Sequence, residues 1–515
     1  MEEKKSISIN LIASIVVLIV NLGINFFLTP YVTGRLGTEA YGFASLASNF
    51  VNYATLLTIA LNSMSGRFIS IAIHKGKEKE ADEYFSSVFW SNVLIIAILI
   101  IPSVFLIAKL ENVVNIPSDI VYDVKVLFSL IFMNFFFGIL NSTYQVATFA
   151  TNKLYIQSIN NLVGNIIKVT ILLTAFMFFV PHVFYIGLAS LITTLYIFLM
   201  NIYYKKKLLP SLKNDLHFCS FKKIKEVTLA GIWNTVTKLA QILTDGLDLI
   251  ICNIFIDSLA MGQLAIAKTL GSTLGTLIGT VSAVFQPEFI ISYAKEKGEE
   301  LIKKLTVSMK ITAIFANIPF CFLIVFGRAF YNLWMPNQDV ELLYVLTLLT
   351  VQGVIVSGII NPMYSIYTVT NKIKADALCR IVLGFTSVIL VFTLLKFTSL
   401  GIYAVAGVST LLGTIFNFFF VPIYVAKKCL NVKWNTFYPT IFRYMFTVAI
   451  MVLIFYFGSL FIEISSWYTM FATIFCAGII GLGINFILLF NKEEQIEFIK
   501  TINKFILKIG GKKSE

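Results

Sequence analysis

Residues 155–204 read YIQSINNLVGNIIKVTILLTAFMFFVPHVFYIGLASLITTLYIFLMNIYY, and the only side chain in them charged at neutral pH is Lys168. A bilayer core is crossed by about 20 predominantly apolar residues of helix. This stretch holds two such runs, 155–180 and 183–204, parted at Pro181-His182. Its scattered Asn, Ser and Thr do not oppose helices, because only helices or closed barrels satisfy their backbone in lipid and no period of two is present. Outward in both directions the pattern repeats, at 9–30, 40–64, 84–108 and 124–148 before it and 227–256, 261–287, 307–327, 342–366, 376–396, 401–425, 438–462 and 467–490 after it. The sequence therefore predicts an all-α polytopic membrane protein with about 14 transmembrane helices.

Composition agrees. Of 515 residues, 58% are hydrophobic and 13% charged, with a mean hydropathy of +0.85, whereas soluble domains carry about 25% charged residues. A net charge of +13 would suggest nucleic acid for a soluble domain; here the cations sit in short loops and report topology, so no nucleic-acid partner is expected. The run Ile7 to Thr29 is too long for the apolar core of a signal peptide and lacks a small-residue cleavage site, so it reads as the first membrane helix. Cys219, Cys252, Cys321, Cys379, Cys429 and Cys476 have no metal spacing and are expected to act as small core hydrophobes. No cofactor or metal is expected.

Orientation follows from Lys and Arg. With both termini in the cytoplasm, inside segments hold 31 of the 40 and outside loops hold five, Arg35, Lys109, Lys125, Arg328 and Lys396. The bias alternates correctly at every loop, which supports an even number of spans. All five Trp fall near span ends, where an interfacial belt would sit. Beyond the last span, Glu493 to Lys508 places Ile496, Phe498, Ile499, Ile502, Phe505 and Ile506 on one helical side and Lys500, Lys504 and Lys508 on another. Such a helix would lie on anionic lipids of the inner leaflet.

The chain also repeats itself. Thr151-Asn152-Lys153 returns as Thr370-Asn371-Lys372, each after an Asn and a Tyr, and Arg67-Phe68-Ile69 leading to His74-Lys75-Gly76 returns as Glu288-Phe289-Ile290 leading to Glu296-Lys297-Gly298. Offsets run from 219 to 222, so spans one to six correspond to spans seven to twelve, and six being even, the repeat is parallel. The expected organisation is an N-terminal lobe 1–204, a basic cytoplasmic linker 205–226, a C-terminal lobe 227–425, two added spans within 426–490 and a basic amphipathic tail 491–515.

Ionisable residues inside spans are expensive and by default face a hydrated cavity or a partner. Span seven carries Lys238, Gln241, Asp245 and Asp248 at spacings of three, four and three, which an ideal α-helix aligns on one face. Span eight adds Lys268, Ser272 and Thr276, and span five adds Lys168; the equivalents in spans one and two are Asn21, Asn25, Asn49 and Asn52. Lys168, Lys238, Gln241, Lys268 and these four Asn are the candidate substrate cavity, with Asp245 and Asp248 as candidate ion-coupling residues. Mutual neutralisation of Lys and Asp between helices is the competing structural role. Arg443, outside the repeat, reads as an anchor at the cytoplasmic end of its span, and Gly271, Gly275 and Gly279 read as a surface for close helix packing. His74, His182 and His217 have no metal spacing, and no enzyme motif stands out.

Phe27-Leu28-Thr29-Pro30, Leu36-Gly37 before Tyr41-Gly42, Asn62-Ser63-Met64-Ser65-Gly66-Arg67-Phe68 and Phe285-Gln286-Pro287 give the chain a resemblance to the polysaccharide transporter (Wzx-like) branch of the multidrug/oligosaccharidyl-lipid/polysaccharide exporter superfamily. The resemblance implies two six-helix lobes in alternating access, a flippase moving undecaprenyl-diphosphate-linked oligosaccharide from the inner to the outer leaflet for cell-surface polysaccharide synthesis. It implies a transporter and not an enzyme, working beside glycosyltransferases and a glycan polymerase, with H+ or Na+ as candidate coupling ions. Cation-coupled drug extruders of the same superfamily would carry acids in the first spans, absent here, although Asp245 and Asp248 keep that reading open. A peptidoglycan-precursor flippase would carry arginines in the first-lobe cavity, and span one has none. A membrane glycan polymerase, from a different class, would show a large outer loop.

Overall fold

The structure, a computed structural model, describes residues 17, 20–24 and 26–496. Among them there is no β-strand, and twelve helices are long and apolar enough to cross a membrane. The twelve coincide with the second to sixth and eighth to fourteenth runs read from the sequence. The first run lies partly outside the described residues; within it, residues 20–24 and 26–30 are helical. The second is bent into Thr38–Ala54 and Leu56–His74. At the bend Thr55 Oγ1 donates to the Asn52 carbonyl at 2.6 Å and Thr58 Oγ1 to the Thr55 carbonyl at 3.1 Å, hydroxyl bonds that compete with the helical ladder. The seventh run is not one α-helix: Phe221–Gln241 passes into a π-helical turn, Ile242–Gly246, and resumes as Asp248–Phe255.

Packing divides the described chain into two units, one within Met1–Ile266 and Ala377–Val405, the other within Ala267–Asp376 and Ala406–Glu515. In the first, Val121–Tyr144 packs along Phe184–Leu208 and Leu56–His74 along Phe221–Gln241. The second pair touches backbone to backbone, since a Cβ on Gly231 would lie 1.9 Å from the Ala60 carbonyl oxygen. Apolar contact has no solvent drive in lipid, so small residues and interhelical hydrogen bonds supply specificity. Asn92, fully buried, exchanges bonds with Asn62 at 2.8 and 3.2 Å and donates to Thr143 Oγ1 at 3.0 Å, tying three helices. Gly271 makes only ordinary contact with Val351, and Gly275 and Gly279 have open space around the Cβ position. The expected glycine stripe is therefore not where helices meet closely; Gly231 and Gly262 are, the latter 2.3 Å from the Thr38 carbonyl oxygen by the same construction.

In the second unit, Gly298–Trp334 packs against Val354–Val369, Tyr438–Ser459 and Trp467–Leu489. Asn317 and Asn485, both fully buried, form a reciprocal amide pair at 2.7 and 3.1 Å. Lys310 Nζ, almost inaccessible, binds both carboxylate oxygens of Glu494 at 2.8 and 2.6 Å. Arg443 Nη1 donates to Asn491 Oδ1 at 2.6 Å, and the Asn491 N–H donates to Glu494 Oε2 at 2.8 Å. Arg443 thus fastens the segment after the last span. Of the amphipathic tail, residues 493–496 are helical and the rest lies outside the described residues. Trp334, the last residue of Gly298–Trp334, is buried against Phe330 and Tyr331, and Cys219 and Cys476 are exposed while Cys252, Cys321 and Cys429 are buried.

Two pairs of helix ends share one geometry. Asn152 and Asn371 take φ of 53° and 55°, and the next N–H in each case reaches back five residues, Lys153 to Thr148 and Lys372 to Tyr367, both at 2.8 Å. This is the Schellman end with Asn in place of Gly. Gly76 and Glu296 form a second pair, with φ of 69° and 55°, and Lys77 and Lys297 bonded back to Ala72 and Ser292. The true offset there is 220, not 222, because Glu296 occupies the left-handed position and Gly298 opens the next helix.

The basic segment after residue 204 is stitched to the start of Glu78–Ala108. The Lys213 N–H donates to Asp82 Oδ1 at 2.7 Å, the Asp215 N–H to Ser86 Oγ at 3.1 Å and the Ser220 N–H to Ser87 Oγ at 2.9 Å. Lys223 Nζ adds a 2.8 Å ion pair with Glu80 and sits 4.2 Å from the centre of the Tyr84 ring.

Candidate functional site

The π-helical turn is the centre of the site in the first unit. A π turn bonds i to i+5, which inserts the equivalent of one residue and rotates the succeeding helix by about 100°. The polar stripe of span seven accordingly splits. Gln241 and Asp245 are exposed, whereas Asp248, the first residue of the next helix, is 7% exposed and packs toward Thr38–Ala54. The four residues do not share one face as the spacing implied. Lys238, half-buried, donates to Gln241 Oε1 at 3.4 Å.

Thr38–Ala54 holds this turn from the other side. Asn49 Nδ2 donates to the Gly246 carbonyl at 3.3 Å, and Tyr53 OH donates to the same oxygen at 2.5 Å. The wider turn disturbs the regular bonding ladder, and two side chains one turn apart satisfy the Gly246 oxygen. Asn49 is thus brought to the segment carrying Asp245 and Asp248. Tyr53 was missed by sequence reasoning; its spacing of four from Asn49 was the available signal. Asn234 Nδ2 also reaches across, donating to Ser63 Oγ at 2.9 Å.

The remaining candidates are dispersed. Asn21 Oδ1 accepts from Asn165 Nδ2, and Lys168 lies half-buried one turn further along the same helix, Leu154–Phe178. Asn52 is exposed, and Asn25 lies outside the described residues. Lys268 belongs to the second unit and is half-buried in Ser258–Ala283. Beyond it, Ser272 and Thr276 turn their hydroxyl protons onto their own helix, to Thr269 and Ser272 carbonyls at 2.9 and 2.8 Å. Chemically, these groups offer ammonium and amide donors to an anion and carboxylates to a cation.

Residues 8–290 match the model of a family described as polysaccharide biosynthesis protein. Over 508 residues the chain is 27% identical to a Bacillus subtilis (strain 168) protein described as uncharacterized membrane protein EpsK, covering 96% of this chain and 98% of that one. Among solved structures it is similar to the lipid II flippase MurJ in an inward closed conformation, with TM-score 0.68, 16% identity and coverage of 95% and 99% of the two chains. It is also similar to the MATE multidrug transporter DinF-BH, with TM-score 0.61, 14% identity and coverage of 83% and 96%.

Proposed function

Since the chain belongs to the polysaccharide biosynthesis protein family, we propose that it is a flippase, carrying undecaprenyl-diphosphate-linked oligosaccharide from the inner to the outer leaflet of a bacterial cytoplasmic membrane. The observation that carries this reading is the set of intramembrane cations and amides within the first unit: half-buried Lys168 and Lys238, the latter donating to Gln241, together with Asn21 and Asn49. A cation inside a span is retained only for a partner or a hydrated path, and a diphosphate sugar headgroup needs ammonium charge beside neutral hydrogen-bonding groups. The prenyl tail would remain in lipid. The reading entails carriage and not bond-making, with lobes 1–204 and 227–425 rocking about the site, both termini in the cytoplasm, and glycosyltransferases and a polymerase supplying and consuming the cargo. Similarity of fold to a lipid II flippase supports it.

The test is transfer of lipid-linked glycan to the outer leaflet in cells and in vesicles. Lys238→Ala with Lys268→Ala should leave expression intact and lower transfer at least tenfold, with Arg restoring part of it. Wild-type transfer by the double variant would remove the lysines from the site. Because Asp245 is exposed on the π turn, cation-coupled extrusion is the second reading. Vesicles that export an organic cation and ignore lipid-linked glycan would select it.

A further inference from the structure

Two asparagines at the outer end of span seven form a bond set that nothing above employs. Asn253, fully buried in the last turn of Asp248–Phe255, faces Asn115 in the loop after Glu78–Ala108. The Asn115 N–H donates to Asn253 Oδ1 at 2.7 Å, and Asn253 Nδ2 donates back to the Asn115 carbonyl at 3.0 Å. The Asn115 side chain in turn donates to the carbonyl of Asn253 at 2.8 Å and of Ile254 at 3.5 Å. One amide thus reads the backbone of the loop as a strand would, and the other caps the carbonyls a helix end leaves unpaired.

The loop side of this junction is rigid. Leu110 and Val114 are buried, and Lys125 Nζ binds Glu111 at 2.6 Å and donates to the Ala108 carbonyl at 3.2 Å. The bond from Lys125 holds the Glu111 carboxyl below the usual carboxylate range. Asn115 lies in the first repeat and Asn253 in the first span of the second, and both pack within the first unit. On the transport reading, on which this inference rests, span seven parts from that loop on the outer side whenever the cargo is released.

We propose that the Asn115–Asn253 bond set is the outer latch of the transporter, closed while the site faces the cytoplasm and broken when it faces outward. A buried amide stripped of its partners is costly unless water replaces them, so the latch opens only together with an outer water path. This makes partial opening unfavourable and gives the outer end two discrete arrangements.

Cys252, fully buried next to Asn253, is a built-in reporter. With Cys252 as the sole cysteine, labelling by an impermeant maleimide from outside should rise about thirtyfold in Asn115→Ala and in Asn253→Ala, the effect of losing two side-chain bonds of about 1 kcal/mol each. In a background without native cysteines, Asn115→Cys with Asn253→Cys should transfer lipid-linked glycan when reduced, stop when oxidised to the disulfide, and recover on reduction. Labelling at the wild-type rate in both Ala variants, or undiminished transfer by the disulfide form, overturns the latch. If Cys252 labelling rises while the reduced pair carries no glycan, the latch stands and the assigned cargo falls.

Discussion

Gly231→Ala is the sharpest test of how the first unit is held together. The added Cβ would meet the Ala60 carbonyl oxygen at 1.9 Å, the Ala60 carbonyl carbon at 2.8 Å and Ser63 Oγ at 2.9 Å. Carbon and carbonyl oxygen rest at about 3.3 Å or more, so Leu56–His74 and Phe221–Gln241 must part locally by about 1.4 Å. Two of the three obstacles are backbone and cannot rotate away. Over-packing of this kind costs about 2–3 kcal/mol, and a gap approaching 1 Å in the flanking contacts forfeits a quarter to a half of their dispersion energy. The Asn234 to Ser63 hydrogen bond would be strained as well. The expected result is an unfolding equilibrium shifted about 30- to 150-fold, measured by denaturant titration in mixed micelles. Gly275→Ala is the control, since its Cβ meets nothing within 4 Å. A Gly231→Ala protein within about 0.5 kcal/mol of wild type, or a Gly275→Ala protein equally damaged, would refute the packing argument.

Tyr53→Phe and Asn49→Ala each remove one donor from the Gly246 carbonyl and should slow transfer of lipid-linked glycan by several-fold while leaving expression intact; a double variant whose loss is simply the two single losses combined would show that the two do not act together on that oxygen. Asn317→Ala should destabilise by about 1 kcal/mol and Asn485→Ala likewise, with the double variant less than additive in a thermodynamic cycle, because each single leaves one buried amide unpaired. Glu494→Ala should cost more, about 3 kcal/mol, since it leaves buried Lys310 without its counter-charge, and Lys310→Met in the same chain should recover most of it. Reporter tags after Met1 and before Glu515 should both read cytoplasm and a tag at Ser118 should read outside; termini on opposite sides would end the fourteen-span topology.

Apolar run length made the helical architecture legible, because lipid leaves the backbone so few alternatives. A recurring helix end was legible through Thr-Asn-Lys, where Asn takes the left-handed position twice. Register within the repeat slipped at Gly298, because a glycine in the sequence suggests a left-handed residue and the chain used Glu296 instead. The polar stripe of span seven was legible as residues and misleading as geometry: spacings of three and four specify a face only while the helix remains α, and nothing in Ile242 to Gly246 announces a π turn. The glycines at 271, 275 and 279 misled for a related reason, since small residues permit close approach without compelling it, whereas Gly231 and Gly262 stand alone in the sequence and carry the contact. Asn115 and Asn253 were invisible because their side chains bond main-chain atoms brought close only by the fold, and for Tyr53 the spacing of four from Asn49 was the one signal.

The segment stitched to Asp82, Ser86 and Ser87 also bears on how this protein could be divided. A gene opened between the two repeats, within residues 205–225, would cut through backbone whose N–H groups are already promised to one particular helix. The fragment ending at residue 204 would carry Asp82, Ser86 and Ser87 without their donors, and the complementary fragment would begin with a ragged edge that has no surface to settle on. Co-expressed halves broken anywhere in this segment before Lys223 should therefore reassemble poorly, since every such break parts a donor from its partner on Glu78–Ala108.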